Sequence, residues 1–364
     1  MNPLEKELEY PWGDTLPETG RAHEVAAGVR WIRMPLPFAL DHINLWLLRD
    51  RVDGREGWTV VDCGIDRTEV RDCWEAVFDQ ALDGLPVLRV LVTHMHPDHV
   101  GLAHWLCARW QAPLWMSMTD YALARLWAGS SVRDSSIEGS GPAGDAAVRH
   151  FARHGLVDPQ AQDMIRARHD YYTRLVPDVP PRFHRLMHGQ EVGIGGHAWR
   201  IIVGHGHAPE HVSLWCPDLD TLISGDMVLP RISTNVSVFD LEPEADPLRL
   251  YLDSLSAYDG LPEGVLVLPS HGRPFRGLHR RIAQQRTHHA ERLAEVLAAC
   301  EQPRSAHDLL PVLFRRKLDL HQLSFAMGES IAHLHALYFQ GSLRRILGED
   351  GVYRFETKRP QWQP

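Results

Sequence analysis

Thr93-His94-Met95-His96-Pro97-Asp98-His99 follows directly on the apolar run Val87–Val92 and places four metal-competent side chains within six residues. The apolar run reads as a buried strand that stops at Thr93. A strand end is rigid, and the loop behind it can fold its side chains around a point. His-x-His brings two imidazoles near one ion, and Asp-His offers a carboxylate and an imidazole to a second. Such a mixed set suits zinc, iron or manganese, and paired ions in sites of this kind lie about 3.5–4 Å apart. The competing reading is a polar loop with chance histidines, and the rest of the chain weighs against it.

Working outward, the same arrangement recurs at three further strand ends. Val203-Gly204-His205-Gly206-His207-Ala208-Pro209-Glu210-His211 follows the predicted strand Ala198–Val203. Ser224-Gly225-Asp226 follows Thr221–Ile223, and Pro269-Ser270-His271-Gly272 follows Val265–Leu268. A glycine beside each candidate ligand permits a tight backbone turn. One histidine after one strand is more often a hydrogen-bonded structural residue; four such sites in order make coincidence a poor account.

The order T-H-x-H-x-D-H, then G-H, then G-D, then a late S-H-G resembles the metallo-β-lactamase-fold hydrolase superfamily over about residues 22–290. The resemblance implies an α/β fold, a four-layer αββα sandwich with a dinuclear site along one sheet edge. Carried over residue by residue, His94, His96 and His207 would hold the first metal, Asp98, His99 and His271 the second, and Asp226 would bridge both. The third motif departs from the family's T-P-G-H-T-x-G-H. Aligning Ala208-Pro209-Glu210-His211 with its tail makes His207 the ligand, His205 a near neighbour and His211 the trailing residue. Asp62, in V-D-C-G-I where the family tends to have D-T-G, is expected to orient the ligand loop; its alternative is a strand-end turn cap. His99 sets the chain beside the glyoxalase II, lactonase, phosphodiesterase and RNA-processing branches. The stretch from Ala332-His333-Leu334 through Gly341-Ser342-Leu343-Arg344-Arg345, followed by a short hairpin, resembles the winged-helix tail of the glyoxalase II-like, β-lactamase-like-2 subgroup.

The remaining text fits around this centre. Alternating or apolar runs predict strands at Val29–Met34, Ile43–Leu48, Trp58–Asp62, Pro113–Met116 and Val212–Cys216, with a further one at 234–239. Three- and four-residue spacing predicts helices at Arg67–Leu82, Gly101–Trp110, Thr119–Trp127 with Thr119 as cap, Ala146–Arg153, Pro159–Leu175, Asp246–Tyr258 and Gly277–Ala299. Residues 129–145, rich in Gly, Pro and Ser, read as a loop. The expected organisation is an arm at 1–20, the sandwich at 21–300 with a helical insertion or cap at 117–188, and a winged-helix-like domain at 301–364. In the insertion, Tyr171 and Tyr172 are candidate pocket residues, set against an ordinary helix with aromatics in its core.

Composition narrows the function classes. The chain has 364 residues, is 44% hydrophobic and 23% charged, and carries a net charge of −9, values of a folded globular chain with no bulk attraction to nucleic acid or anionic lipid. Residues 301–364 hold nine Lys or Arg against seven Asp or Glu, which is not a basic stripe. No apolar run reaches the roughly 20 residues of a membrane span. Five separated cysteines and an acidic start without an apolar core read as a reduced, cytoplasmic chain. The expected partner is a small-molecule substrate, and a homodimer is left open.

The expected chemistry is hydrolysis by a hydroxide shared between two divalent cations, zinc first with iron or manganese as alternatives, with Asp98 and Asp226 as the catalytic carboxylates. A thioester or ester is the leading substrate class, acyl-CoA-like, glutathione-like or a lactone. A phosphodiesterase or ribonuclease of the same fold, a non-catalytic metal-binding regulator and a mononuclear iron dioxygenase stay as alternatives. No Gly-x-Ser-x-Gly occurs, and Gly139-Ser140-Gly141 lacks the strand-to-helix context of a serine nucleophile.

Overall fold

The computed structural model of the protein describes residues 4–129, 144–315, 318 and 320–358. The chain divides into two compact units, one comprising Met1–Gly129, Tyr172–Thr234 and Ser254–Ala283, the other Ser130–Tyr171, Asn235–Asp253 and Gln284–Pro364.

The first unit is built on two sheets. Seven strands lie in chain order in one: β1 (His23–Ala26), β2 (Val29–Pro35), β3 (His42–Val52), β4 (Arg55–Val61), β5 (Val87–Leu91), β6 (Leu114–Met116) and β7 (Phe183–Arg185). β1 to β4 pair antiparallel, and β4 to β7 pair parallel. The second sheet comprises β8 (Glu191–Ile194), β9 (His197–Gly204), β10 (His211–Cys216), β11 (Thr221–Gly225) and β12 (Leu266–Pro269), in the order β12-β11-β10-β9-β8.

The apolar runs explain why these strands face each other. Trp31, Trp46, Leu48, Val61 and Leu91 of one sheet share a buried core with Val192, Trp199, Ile201, Leu214, Ile223 and Leu268 of the other. Trp31 and Trp46 are direct cross-strand partners and stack with centroids 6.3 Å apart. Helix Thr68–Gln80 buries Val70, Trp74 and Val77 and packs on β2, and helix Ala103–Trp110 packs on β5. The 3-10 turn Leu255–Tyr258 packs on β9, with the Tyr258 hydroxyl 2.8 Å from Ser213 Oγ on β10. Helices outside two facing sheets make the layered α/β sandwich expected from the sequence.

The strand ends that matter lie along one edge, where the two sheets are joined by backbone hydrogen bonds. The Val212 N–H donates to the Thr93 carbonyl at 2.8 Å, and the Asn44 N–H to the Ser270 carbonyl at 2.7 Å. The first residues are also tied to this unit: Glu9 bridges Arg276, and the Arg273 guanidinium lies 4.2 Å over the Tyr10 ring.

The second unit holds helices Asp145–Arg153, Pro159–Arg166, Leu310–Leu313 and Leu320–Phe339, and the hairpin β13 (Leu343–Leu347) and β14 (Tyr353–Thr357), which closes through Gly348-Glu349-Asp350-Gly351. Helix Leu320–Phe339 touches helix Pro159–Arg166 and β13. Gly328 sits where a Cβ would come within 2.7 Å of Ser237 Cβ, so its carbonyl can accept the Val238 N–H. Among the described residues no helix is long and apolar enough to cross a membrane.

Several local expectations differ. Residues 234–239 form no strand: Val238 bonds the Gly328 carbonyl instead of a sheet neighbour. Pro159–Leu175 is not continuous but breaks into Pro159–Arg166 and Tyr171–Leu175. Helix Met118–Ala128 is preceded by Ser117, so Thr119 lies inside it and its N–H is taken by the Glu210 carboxylate. The stretch 117–188 is not helical throughout, since β7 lies in it, and its residues are shared between the units. Gly139-Ser140-Gly141 lies outside the described residues.

Leu214 is fully buried in the core shared by the sheets. Leu214→Ala is expected to cost about 2–5 kcal/mol. Urea unfolding followed by tryptophan fluorescence measures it; an unchanged midpoint would mean that the facing sheets do not share one core.

Candidate metal centre

Burial at the sheet edge gathers seven side chains into three overlapping groups whose donor atoms lie within 4.8 Å of one another: His94, His96 and His207; His94, His99 and Asp226; Asp98, His99 and His271. His94 and His99 each belong to two groups, so the set is one continuous cluster. The parallel strands explain the convergence. The ends of β4 and β5 carry Asp62 and the His94–His99 loop, those of β11 and β12 carry Asp226 and His271, and β9 delivers His207.

The support of each ring fixes which nitrogen faces inward. The Asp62 carboxylate, 1% exposed, accepts from the Thr93 N–H at 2.8 Å and from the Thr93 hydroxyl at 2.9 Å, and takes the His99 Nδ1–H at 2.8 Å. The Thr93 oxygen lies 3.0 Å from His94 Nδ1, leaving Nε2 to point at the cluster. His94 Nε2 stands 2.9 Å from His96 Nδ1 and 3.1 Å from His207 Nε2. Asp62 has φ 62°, a left-handed conformation that aims its carboxylate back at the next strand end.

Support for His271 comes from residues absent from the sequence reading. Its Nδ1–H donates to the His42 carbonyl at 2.8 Å, and the Gly272 N–H donates to His42 Nε2 at 2.9 Å. Buried Asn44 donates to the Pro269 and Gly272 carbonyls at 2.8 and 3.0 Å and accepts from the Trp31 indole at 2.9 Å. The only local signal was polarity, His42 and Asn44 interrupting an apolar run.

The other sequence candidates take different places. His205 points its Nδ1 at the Pro209 carbonyl, 2.6 Å away, and is in none of the three groups. His211 is fully buried, packs 4.7 Å from the His94 ring and accepts the Asp226 N–H at Nε2. Gly225 is obligatory beside it, because at φ 54° a Cβ would lie 2.4 Å from the His211 ring. Tyr172 is buried and its hydroxyl donates to the Met95 carbonyl at 2.7 Å, so it braces a ligand loop instead of facing a ligand. Tyr171 belongs to the second unit, with Arg168 4.4 Å over its ring.

Electrostatics divides the cluster. Burial, reinforced by neighbouring imidazoles, pulls His94 and His211 well below the usual imidazole range and His96 to about 3. Around His271, burial is outweighed by Asp226 and Asp98, which push it up to about 10. Asp62, Asp98 and Asp226 likewise hold His99 well above its ordinary value. Against burial, His99 and His271 draw Asp98 down to about 2. One side therefore offers neutral lone pairs, the form in which imidazole binds metal. On the other side, the carboxylates favour positive charge at the place where a cation would sit.

The donor set fits metal ions. His99 Nε2 and Asp226 Oδ1 are buried with no hydrogen-bond partner among the described residues. Both atoms point into the cluster, with His99 Nε2 3.7 Å from both Asp98 and Asp226. Buried polar atoms without partners are costly, and cations between these donors would satisfy them.

Asp62→Ala is expected to weaken metal affinity roughly 10–100-fold, as loss of outer partners of ligating groups does. Competition titration against a chelator measures this, and an affinity equal to that of the parent would remove Asp62 from its orienting role.

Comparison with known proteins agrees with this geometry. Residues 39–271 match the Metallo-beta-lactamase superfamily, and residues 293–358 match the Metallo-beta-lactamase-like, C-terminal domain. The chain is 23% identical over 355 residues to the probable metallo-hydrolase YqjP of Bacillus subtilis, covering 90% of this chain and 98% of that one. It is similar to the structure of a beta-lactamase domain protein from Burkholderia ambifaria, at 56% identity and TM-score 0.91, covering 98% of this chain and all of that one. The metallo-beta-lactamase family protein TTHA1429 of Thermus thermophilus shares the fold, at 24% identity and TM-score 0.74 over 92% of this chain and 100% of that one. A match over most of the chain, together with a His/Asp cluster at the edge of two facing sheets, establishes that this chain belongs to the metallo-beta-lactamase superfamily.

Proposed function

We propose that the protein is a metal-dependent hydrolase that holds two divalent cations and acts on a thioester or ester. The observation that carries the reading is the continuous seven-donor cluster, in which His94 and His99 are shared between groups. His94, His96 and His207 would hold one cation, Asp98, His99 and His271 the other, with Asp226 between them. Zinc is the first candidate, and iron or manganese suits the same mixed set. When bound, such a pair lowers the pKa of water and polarises a carbonyl oxygen.

The chain's own residues have definable parts in this scheme. Asp62 and the His42 carbonyl hold the rings of His99 and His271 by Nδ1–H, so that Nε2 is the donor of each. Of the two carboxylates in the cluster, Asp98 is the more open, its side chain 20% exposed against 10% for Asp226. This openness supports Asp98 as the group that would accept a proton from attacking water. Asp226 is held at its backbone by His211, which suits a fixed bridging role.

We read the helix Leu320–Phe339 with the hairpin β13–β14 as a winged-helix-like tail of the glyoxalase II-like kind. Its weak net charge does not suit a nucleic-acid partner, which favours the ester over the phosphodiester reading.

Elemental analysis of the native protein is expected to give two metal ions per chain. Activity on a panel of thioesters, lactones and phosphodiesters is expected to be highest on a thioester or ester, to vanish on chelation and to return with zinc. Asp226→Asn is expected to lower kcat/KM by about 100-fold or more, equivalent to at least about 2.7 kcal/mol of transition-state stabilisation. Thioester turnover no faster than in a metal-stripped sample would remove the substrate class, and preferential phosphodiester cleavage would replace it.

A further inference from the structure

Two loops that approach the His/Asp donor cluster from different sheets are fastened to one buried carboxylate. Asp120 lies in the first turn of helix Met118–Ala128, just beyond β6, and is fully buried. Its Oδ1 accepts the Met95 N–H at 2.9 Å, and its Oδ2 accepts the Glu210 N–H at 2.7 Å. Met95 separates His94 from His96. Glu210 closes the turn that carries His207. The Ser117 hydroxyl donates to Oδ2 at 3.3 Å.

The attachment is reciprocal. The Glu210 carboxylate accepts the Thr119 N–H at 2.9 Å, so the loop after β9 and the start of the helix hold each other. The Met95 carbonyl accepts the Tyr172 hydroxyl at 2.7 Å. Both peptide groups of Met95 are therefore fixed by side chains from outside the motif. Rotation of either peptide would swing His94 or His96, whose ring nitrogens stand only 2.9 Å apart. A carboxylate can serve two amide donors aimed at opposite oxygens, and an amide side chain cannot, because its NH2 group faces one donor with another.

We propose that Asp120 is a positioning residue that locks the His94–Asp98 loop to the Gly204–His211 loop and thereby sets the mutual angle of His94, His96 and His207. Tyr172 is the second arm of the same clamp. The inference rests on the metal-centre reading under Proposed function, and it assigns a role to a residue that none of the sequence motifs contains.

The test uses the full chain loaded with cobalt(II) alone, whose d–d absorption reports coordination geometry. Asp120→Asn is expected to bind cobalt roughly 10–100-fold more weakly than the parent, with shifted d–d bands, and the chelator-treated variant is expected to unfold at a lower temperature, because one buried N–H loses its acceptor. Tyr172→Phe, which removes a single oxygen, is expected to shift the bands in the same direction by less, and it carries the test if Asp120→Asn does not fold. Asp50→Asn is the control. Asp50 is an equally buried carboxylate in the same unit, bonded to Thr59 and Arg89; this variant is expected to lower the unfolding temperature and leave the bands unchanged. Parental bands and affinity in both Asp120→Asn and Tyr172→Phe would overturn the positioning role. So would unshifted bands in Asp120→Asn with a cobalt affinity no weaker than that of the destabilised control. Failure of the parent itself to bind cobalt would instead overturn the metal-centre reading.

Discussion

Desolvation of ionisable side chains at the sheet edge is the constraint on which the rest of the structure depends. His94, His99, His211, Asp226 and His271 are buried together, and burial opposes every charged form they could take. Such a cluster persists only when each member is paired or kept neutral. Both tendencies occur side by side: burial holds His94, His96 and His211 below the usual imidazole range, and neighbouring carboxylates hold His99 and His271 above it. Donors arranged in this way also suit cations, which would engage His99 Nε2 and Asp226 Oδ1, buried atoms that have no hydrogen bond among the described residues.

Holding the rings in place falls to groups outside the donor cluster. Asp62 reaches from the end of β4 to Thr93 and His99, and Asn44 and His42 reach from β3 to the loop after β12. Each support crosses from one strand end to another. The glycines follow from the same crowding: Gly225 must lack a side chain because the His211 ring occupies the place of its Cβ. The apolar core between the sheets is what keeps these ends in register, since Trp46, paired with Trp31 of β2, lies on β3, the strand that carries Asn44 and His42.

Most of the frame was legible in the chain because it is local. The apolar runs at Ile43–Leu48 and Val87–Val92 and the helical spacing from Arg67 to Leu82 are short-range patterns, and they appear as β3, β5 and helix Thr68–Gln80. Failures came where distant contacts overrode local preference. The stretch 234–239 has the composition of a strand but finds its partner in Gly328, and Thr119 has the chemistry of a cap but gives its N–H to Glu210. β1, β7 and β8 are short strands whose pairing partners, not their own residues, make them strands.

The sequence by itself determined the donor types, their order along the chain and their positions just after buried strands, because strand and turn preferences act over a few residues. Only the tertiary structure decided that Tyr172 braces the Met95 peptide, that His42 supports the His271 ring, and that Asn44 bonds a carbonyl 225 residues away. Those outcomes depend on how two sheets pack and twist against each other, a property of the whole buried core that no local stretch of sequence contains.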